Sequence, residues 1–81
     1  MIEVSSNEYW KKMPYHDALL YCQLLSIDGK NDWRMIKNVE ESLNLFGIMY
    51  SNEVGWYKED IDEFADLLDT YYVVRPVRDI I

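Results

Sequence analysis

Residues 31–43 read NDWRMIKNVEESL, and the way this run is divided decides the architecture. The segment Asp32-Trp33-Arg34-Met35-Ile36 is short and apolar with polar residues on both sides, the pattern of a buried strand. Asn38 and Glu41 follow at capping-box spacing. The Asn38 side chain is placed to accept from the Glu41 backbone N–H, and the Glu41 carboxylate to reach back to the Asn38 N–H. Val39, Leu43 and Phe46 stand at i, i+4 and i+7, which predicts the inner face of a helix, and Gly47 is its stop. Trp33 and Arg34 have two readings. Exposed, they would make a stacking platform with a cationic handle, suited to an acidic or sugar ligand. Buried, Trp33 is an interior peg between the strand and two helices, and Arg34 pairs with Glu41 or a neighbour on that helix. The second reading is the expectation.

Working outward, residues 2–12 carry the β-favouring Ile2, Val4, Tyr9 and Trp10 and predict a first strand. Pro14 pre-sets the opening of a helix over PYHDALLYCQLL. Its stripe is Ala18, Cys22 and Leu25, flanked by Leu19 and Tyr21, and it is expected to end at Ser26–Gly29. Beyond the opening stretch, IMYSNEVGWY (48–57) predicts a strand, a turn at Ser51-Asn52 and a second short strand. A third helix is expected over KEDIDEFADLLD (58–69). It carries Ile61, Phe64, Ala65 and Leu68 on one side and Glu59, Asp60, Asp62, Glu63, Asp66 and Asp69 elsewhere. The closing TYYVVRPVRDII reads as strand, with Pro76 at an edge or bulge because it cannot donate to a ladder. Strands interspersed with helices in a chain of 81 residues predict one α+β domain, 1–81, with a small, mostly antiparallel sheet and two to three helices.

Charge and chemistry narrow the function. The chain holds 15 acids against 8 Lys and Arg, a net charge of −7. Phosphate-backbone binding depends on clustered cations, so direct nucleic-acid binding is not expected and a basic protein surface is the better match. One cysteine, Cys22, allows no internal disulfide, and MIEVSSNEYW has neither the basic nor the apolar region of a signal peptide. With no apolar run of membrane-spanning length, the expectation is a cytoplasmic protein with no membrane partner. Cys22 lies on the apolar stripe, nearly two turns from His16, the single histidine, so no Cys–His dyad is expected. One His and one Cys do not make a transition-metal site, and the acids of residues 59–69 lack calcium-loop spacing. No catalytic residue, metal or cofactor is expected. Arg75 and Arg78 either clip the last strand to nearby acids or grip an anion, the first being the expectation.

Three blocks together resemble the Lcl C-terminal-domain-like family, a bacterial and phage domain mostly of unknown function. They are Ala18-Leu19-Leu20-Tyr21-Cys22, Asp32-Trp33-Arg34 with Glu41, and Val74-Arg75-Pro76-Val77-Arg78. The resemblance implies a minimal C-type-lectin-like fold, similar to that of the formylglycine-generating enzyme and of phage receptor-binding domains. This chain departs from the family pattern at Pro14-Tyr15, where a threonine and a tryptophan usually stand, and at Ile36-Lys37, which takes the place of a proline with one residue added. GWYKEDIDEF (55–64) replaces the family's Trp-Ser-Ser-like stretch, which implies a remodelled ligand-binding edge.

The chain carries seven Tyr, three Trp and two Phe, more than so small a core requires, so a surface share is expected at an interface. The function these features predict is binding. A small acidic protein occupies a basic surface of a macromolecular, most naturally protein, partner, in its most concrete form a phage-encoded modulator of a host protein. The expected contacts are Trp56, Tyr57, Glu59, Asp62, Glu63 and Asp66. The alternatives are a small-ligand or glycan-recognition module, as the lectin-like resemblance implies, and a self-assembling structural protein that pairs as a homo-oligomer.

Overall fold

The structure, a computed structural model, describes residues 1–48, 55–59 and 71–80. Strand β1 (Ile2–Val4), a 3-10 turn (Asn7–Tyr9), strand β2 (Lys11–Met13) and helix α1 (Tyr15–Leu24) come first. Helix α2 (Val39–Phe46), strand β3 (Tyr72–Val74) and strand β4 (Val77–Asp79) follow. The class is α+β. Residues 49–50 of the strand expected before the turn, the turn itself at Ser51-Asn52 and residues 60–69 of the expected third helix lie outside the described residues.

β1 pairs with β4 and β2 with β3, both antiparallel. Val4 stands opposite Val77 and Lys11 opposite Val74, so six residues (5–10) on one side face two (75–76) on the other. The single strand expected over 2–12 is therefore two strands separated by a large bulge that holds the 3-10 turn. Pro76 sits at this break, as its missing donor requires, and its carbonyl accepts from the Ser5 N–H at 3.0 Å.

Isolated bridges join the two ladders. Arg34 exchanges both backbone hydrogen bonds with Val77, at 2.7 and 2.8 Å. Ile36 pairs in parallel with Tyr57, and the Trp56 N–H donates to the Val73 carbonyl at 2.9 Å. The stretch Arg34–Ile36 is thus extended and central, although it pairs through single bridges. Gly55, at φ +109°, is obligatory beside it, because a Cβ there would collide with the Val73 backbone carbonyl.

Consecutive residues of an extended chain point to opposite faces, and the core divides accordingly. Met35, Trp56 and Val74 join Tyr15, Ala18 and Cys22 of α1 in one apolar cluster. Ile36, Tyr57 and Val77 form the other, covered by Leu45 and Phe46 of α2 and by Ile2 and Val4 of β1. Each helix backs one cluster. The indole at the centre is that of Trp56, fully buried, donating to the Met13 carbonyl at 2.6 Å and packed edge-on against Tyr15 with centroids 5.5 Å apart.

Trp33 is corrected in role. It is buried, at 5 % exposure, but belongs to neither apolar cluster. Its N–H donates to the Lys30 carbonyl at 3.0 Å, which pins the strand to the preceding turn. That turn is also tighter than expected. α1 ends at Leu24, and Asp28 and Gly29, both at positive φ, close a two-residue turn in which Ile27 and Lys30 exchange hydrogen bonds. Positive φ at both central residues marks a type I′ turn, which Asp-Gly favours.

α2 begins and ends as its sequence predicts. The Asn38 Oδ1 accepts from the Glu41 N–H at 3.0 Å, and Gly47 takes a left-handed φ of 70° at the C-cap. Its phase differs from the expected stripe. Val39 and Leu43 are exposed, Ser42 is fully buried, and its hydroxyl donates to the Ile48 carbonyl at 2.6 Å. The reciprocal arm of the capping box is displaced by one residue, Glu41 accepting from the Lys37 N–H at 3.0 Å rather than from Asn38. The physical reason is Arg34, which draws the Glu41 carboxylate inward and turns the helix with it.

Candidate functional site

The expected contact residues divide three ways. Trp56 is 0 % and Tyr57 7 % exposed, so neither side chain offers a surface to a partner. Each instead supplies one of the two clusters just described. Glu59 is exposed. Asp62, Glu63 and Asp66 lie outside the described residues.

The three arginines of the strand network differ in what they touch. Arg34 has five N–H donors, and each has a partner. Nε and Nη2 donate to Asp79 at 3.0 and 2.9 Å, Nη1 and Nη2 to Glu41 at 2.8 and 3.0 Å, and Nη1 also to the Met35 carbonyl at 3.0 Å. The Arg34 hydrogen bond holds the Glu41 carboxyl below its usual range against the opposing effect of burial. A guanidinium saturated in this way has no donor left for a ligand, so Arg34 is a clamp that ties α2 to β4. Arg78 is a lighter clip. Its Nε donates to Asp32 and its Nη1 to Glu3, both at 2.7 Å, so the end of the chain is fastened to its beginning and middle.

Arg75 is the exception. Its guanidinium carbon lies 4.6 Å from the Trp10 ring centroid and 4.8 Å from that of Phe46, with the two rings mutually perpendicular. The Trp10 indole is itself fixed by donation to the Ser5 hydroxyl at 3.2 Å. No carboxylate meets Arg75 among the described residues, and its Nε is buried without a hydrogen-bond partner. Desolvation alone accounts for a pKa below the usual arginine value. The bulge creates this arrangement. Trp10 belongs to the long arm of the break and Arg75 to the short one, and bulges commonly re-aim side chains beside functional sites. No local signal in the sequence pairs residue 10 with residue 75, because their meeting depends on strand register.

A second feature is the outer face of α1. Leu20 and Leu24 stand at i and i+4, 53 % and 75 % exposed, with His16, Asp17 and Gln23 exposed around them. The inner side of the same helix is core. A surface helix ordinarily turns polar residues outward, so this one has a second apolar face. The i, i+4 spacing opposite the Ala18–Cys22 stripe was the signal in the sequence.

Other chemistry is quiet among the described residues. Burial pushes the Cys22 thiol up to about 12, which keeps it protonated and unreactive. No cluster of three His, Cys, Asp or Glu is placed to hold a metal ion, and no helix is long and apolar enough to cross a membrane. A recess of about 200 Å³ opens beside Trp33, lined in part by Glu3, Tyr9, Asp28 and Lys30. No protein-family model, curated protein or solved structure matches this chain.

Proposed function

We propose that this is a small binding protein that acts by occupying a surface of a basic protein partner. The observation that carries the reading is the outer face of α1. Leu20 and Leu24 supply apolar anchors on a body of net charge −7, and interfaces combine apolar anchors with a polar rim whose charge steers encounter. The exposed Glu59 and the acids Asp62, Glu63 and Asp66 are the proposed electrostatic complement. Under the resemblance to the Lcl C-terminal-domain-like family, the scaffold is a reduced lectin-like domain whose ligand edge has given way to a protein-docking surface, and a phage-encoded modulator of a host protein is its most concrete form.

The test is affinity purification of the partner, followed by titration calorimetry between the two purified proteins. L20S/L24S is expected to weaken binding by at least about tenfold, as the loss of two buried apolar anchors implies. D62N/E63Q/D66N is expected to slow association and flatten its dependence on salt. Unchanged affinity of L20S/L24S would remove α1 from the interface. A concentration-dependent dimer in sedimentation that L20S/L24S abolishes would replace the partner with a second copy of the chain.

The recess beside Trp33 supports a second reading, a small-ligand or glycan module. Its aromatic edge offers a face for stacking, and its flanking carboxylates are acceptors for sugar hydroxyls. A ligand there raises the unfolding temperature in proportion to RT ln(1 + [L]/Kd), so a flat thermal-shift screen with sugars decides against it.

A further inference from the structure

We propose that Arg75 is a carboxylate-binding site, preorganised by the Trp10 and Phe46 rings that form a corner around it. The inference stands on a contrast within one strand network. Arg34 and Arg78 each engage two carboxylates. Arg75, in a chain with 15 acids, engages none among the described residues. Its charge is partly removed from water by two aromatic faces and receives no anion in return. A desolvated guanidinium without a counter-charge binds an incoming oxyanion more strongly than a hydrated one does, because much of the dehydration has already occurred.

The geometry selects the ligand. The guanidinium sits in the corner between two perpendicular rings with its Nε buried, so the Nη end is left to donate. That end presents two parallel N–H groups, the fork that a carboxylate accepts in bidentate fashion. The net charge of −7 opposes a dianion about twice as strongly as a monoanion, which favours a carboxylate over a phosphate. The fork is also held still. Trp10 is anchored by Ser5 and Phe46 packs on the second apolar cluster, so little side-chain entropy is lost on binding. The ligand is a carboxylate, either free in solution or presented by the side chain of an acidic peptide.

The experiment is an NMR titration of the 15N-labelled full chain that follows the arginine side-chain N–H signals. The probes are sodium acetate, a capped aspartate-containing peptide, its asparagine counterpart and inorganic phosphate, each against sodium chloride at equal ionic strength. The expected result is a saturable shift of the Arg75 signal with acetate and with the aspartate peptide, while Arg34 and Arg78 stay in place as internal controls. Tighter binding of the peptide than of acetate assigns the site to a presented side chain, and equal binding assigns it to a free carboxylate. R75K, which keeps the charge and loses the fork, is expected to bind about tenfold more weakly. A shift reproduced by chloride, a parallel movement of all three arginines, or saturation by phosphate ahead of acetate would overturn the proposal. The titration uses the unmodified protein and is independent of α1, so its failure leaves the proposed partner surface untouched.

Discussion

Glu41 does two jobs with one carboxylate. It accepts from Arg34 at 2.8 and 3.0 Å and from the Lys37 N–H at 3.0 Å, while its own N–H is capped by Asn38. Its side chain is 13 % exposed, so solvent screens the ion pair only partly. Glu41→Gln should therefore lower stability at neutral pH by about 1–3 kcal/mol, the cost of losing charge-assisted hydrogen bonds. The pH dependence gives the sign. The folded state holds this carboxyl below the value of about 4.3 ordinary for an unfolded glutamate, so between those two values the unfolded chain binds more protons. The contribution is full above the unfolded value and disappears as pH falls through the folded one. Urea unfolding of the two proteins from about pH 7 downward should show their stabilities converging in acid, and a constant difference at all pH values would assign the effect to packing alone.

Among the elements, α2 shows where one-dimensional reading succeeds and where it stops. Its first and last residues are local chemistry. Asn38 caps because its oxygen reaches the Glu41 N–H, and Gly47 ends the helix because it accepts a left-handed φ. Its rotation about its own axis is not local. Val39, Leu43 and Phe46 form the most apolar stripe, yet Ser42, Leu45 and Phe46 face inward, since the clamp to Arg34 and the Ser42–Ile48 hydrogen bond set the phase. Two substitutions test that phase. Leu43→Asn is expected to change stability by no more than about 0.5 kcal/mol, as exposed positions do. Ser42→Leu should cost more than about 2 kcal/mol by overpacking a fully buried site and leaving the Ile48 carbonyl without its donor. Thermal unfolding of the pair would reverse this order if the expected stripe were the true inner face. α1 shows the complementary limit. Ala18 and Cys22 were legible as core, and Leu20 and Leu24 were legible as apolar, but nothing in a helical period says which of two apolar faces stays uncovered.

Across the molecule, the last strands hold the first ones. β4 lies between β1 and Arg34, and β3 lies between β2 and Trp56, so both ladders close only when residues 72–79 are in place. A chain ending at residue 70 should consequently show no cooperative unfolding transition, by circular dichroism or calorimetry, while the full chain shows a single one. Persistence of a sharp transition in the shorter chain would mean that α1 and α2 carry a core of their own. The same long-range closure separates what was readable from what was not. By itself the sequence determined the α+β class, the caps of α2, the burial of Met35 and Ile36 and the pairing of Arg34 with an acid of α2, because apart from the class those depend on residues within a turn or two of one another. The tertiary structure alone decided that Trp56 rather than Trp33 occupies the centre, that the first strand breaks at a bulge, and that Trp10 and Phe46 close over Arg75. Those outcomes depend on register between segments more than sixty residues apart in the case of residues 10 and 75, and side-chain periodicity carries no information about register across such a distance.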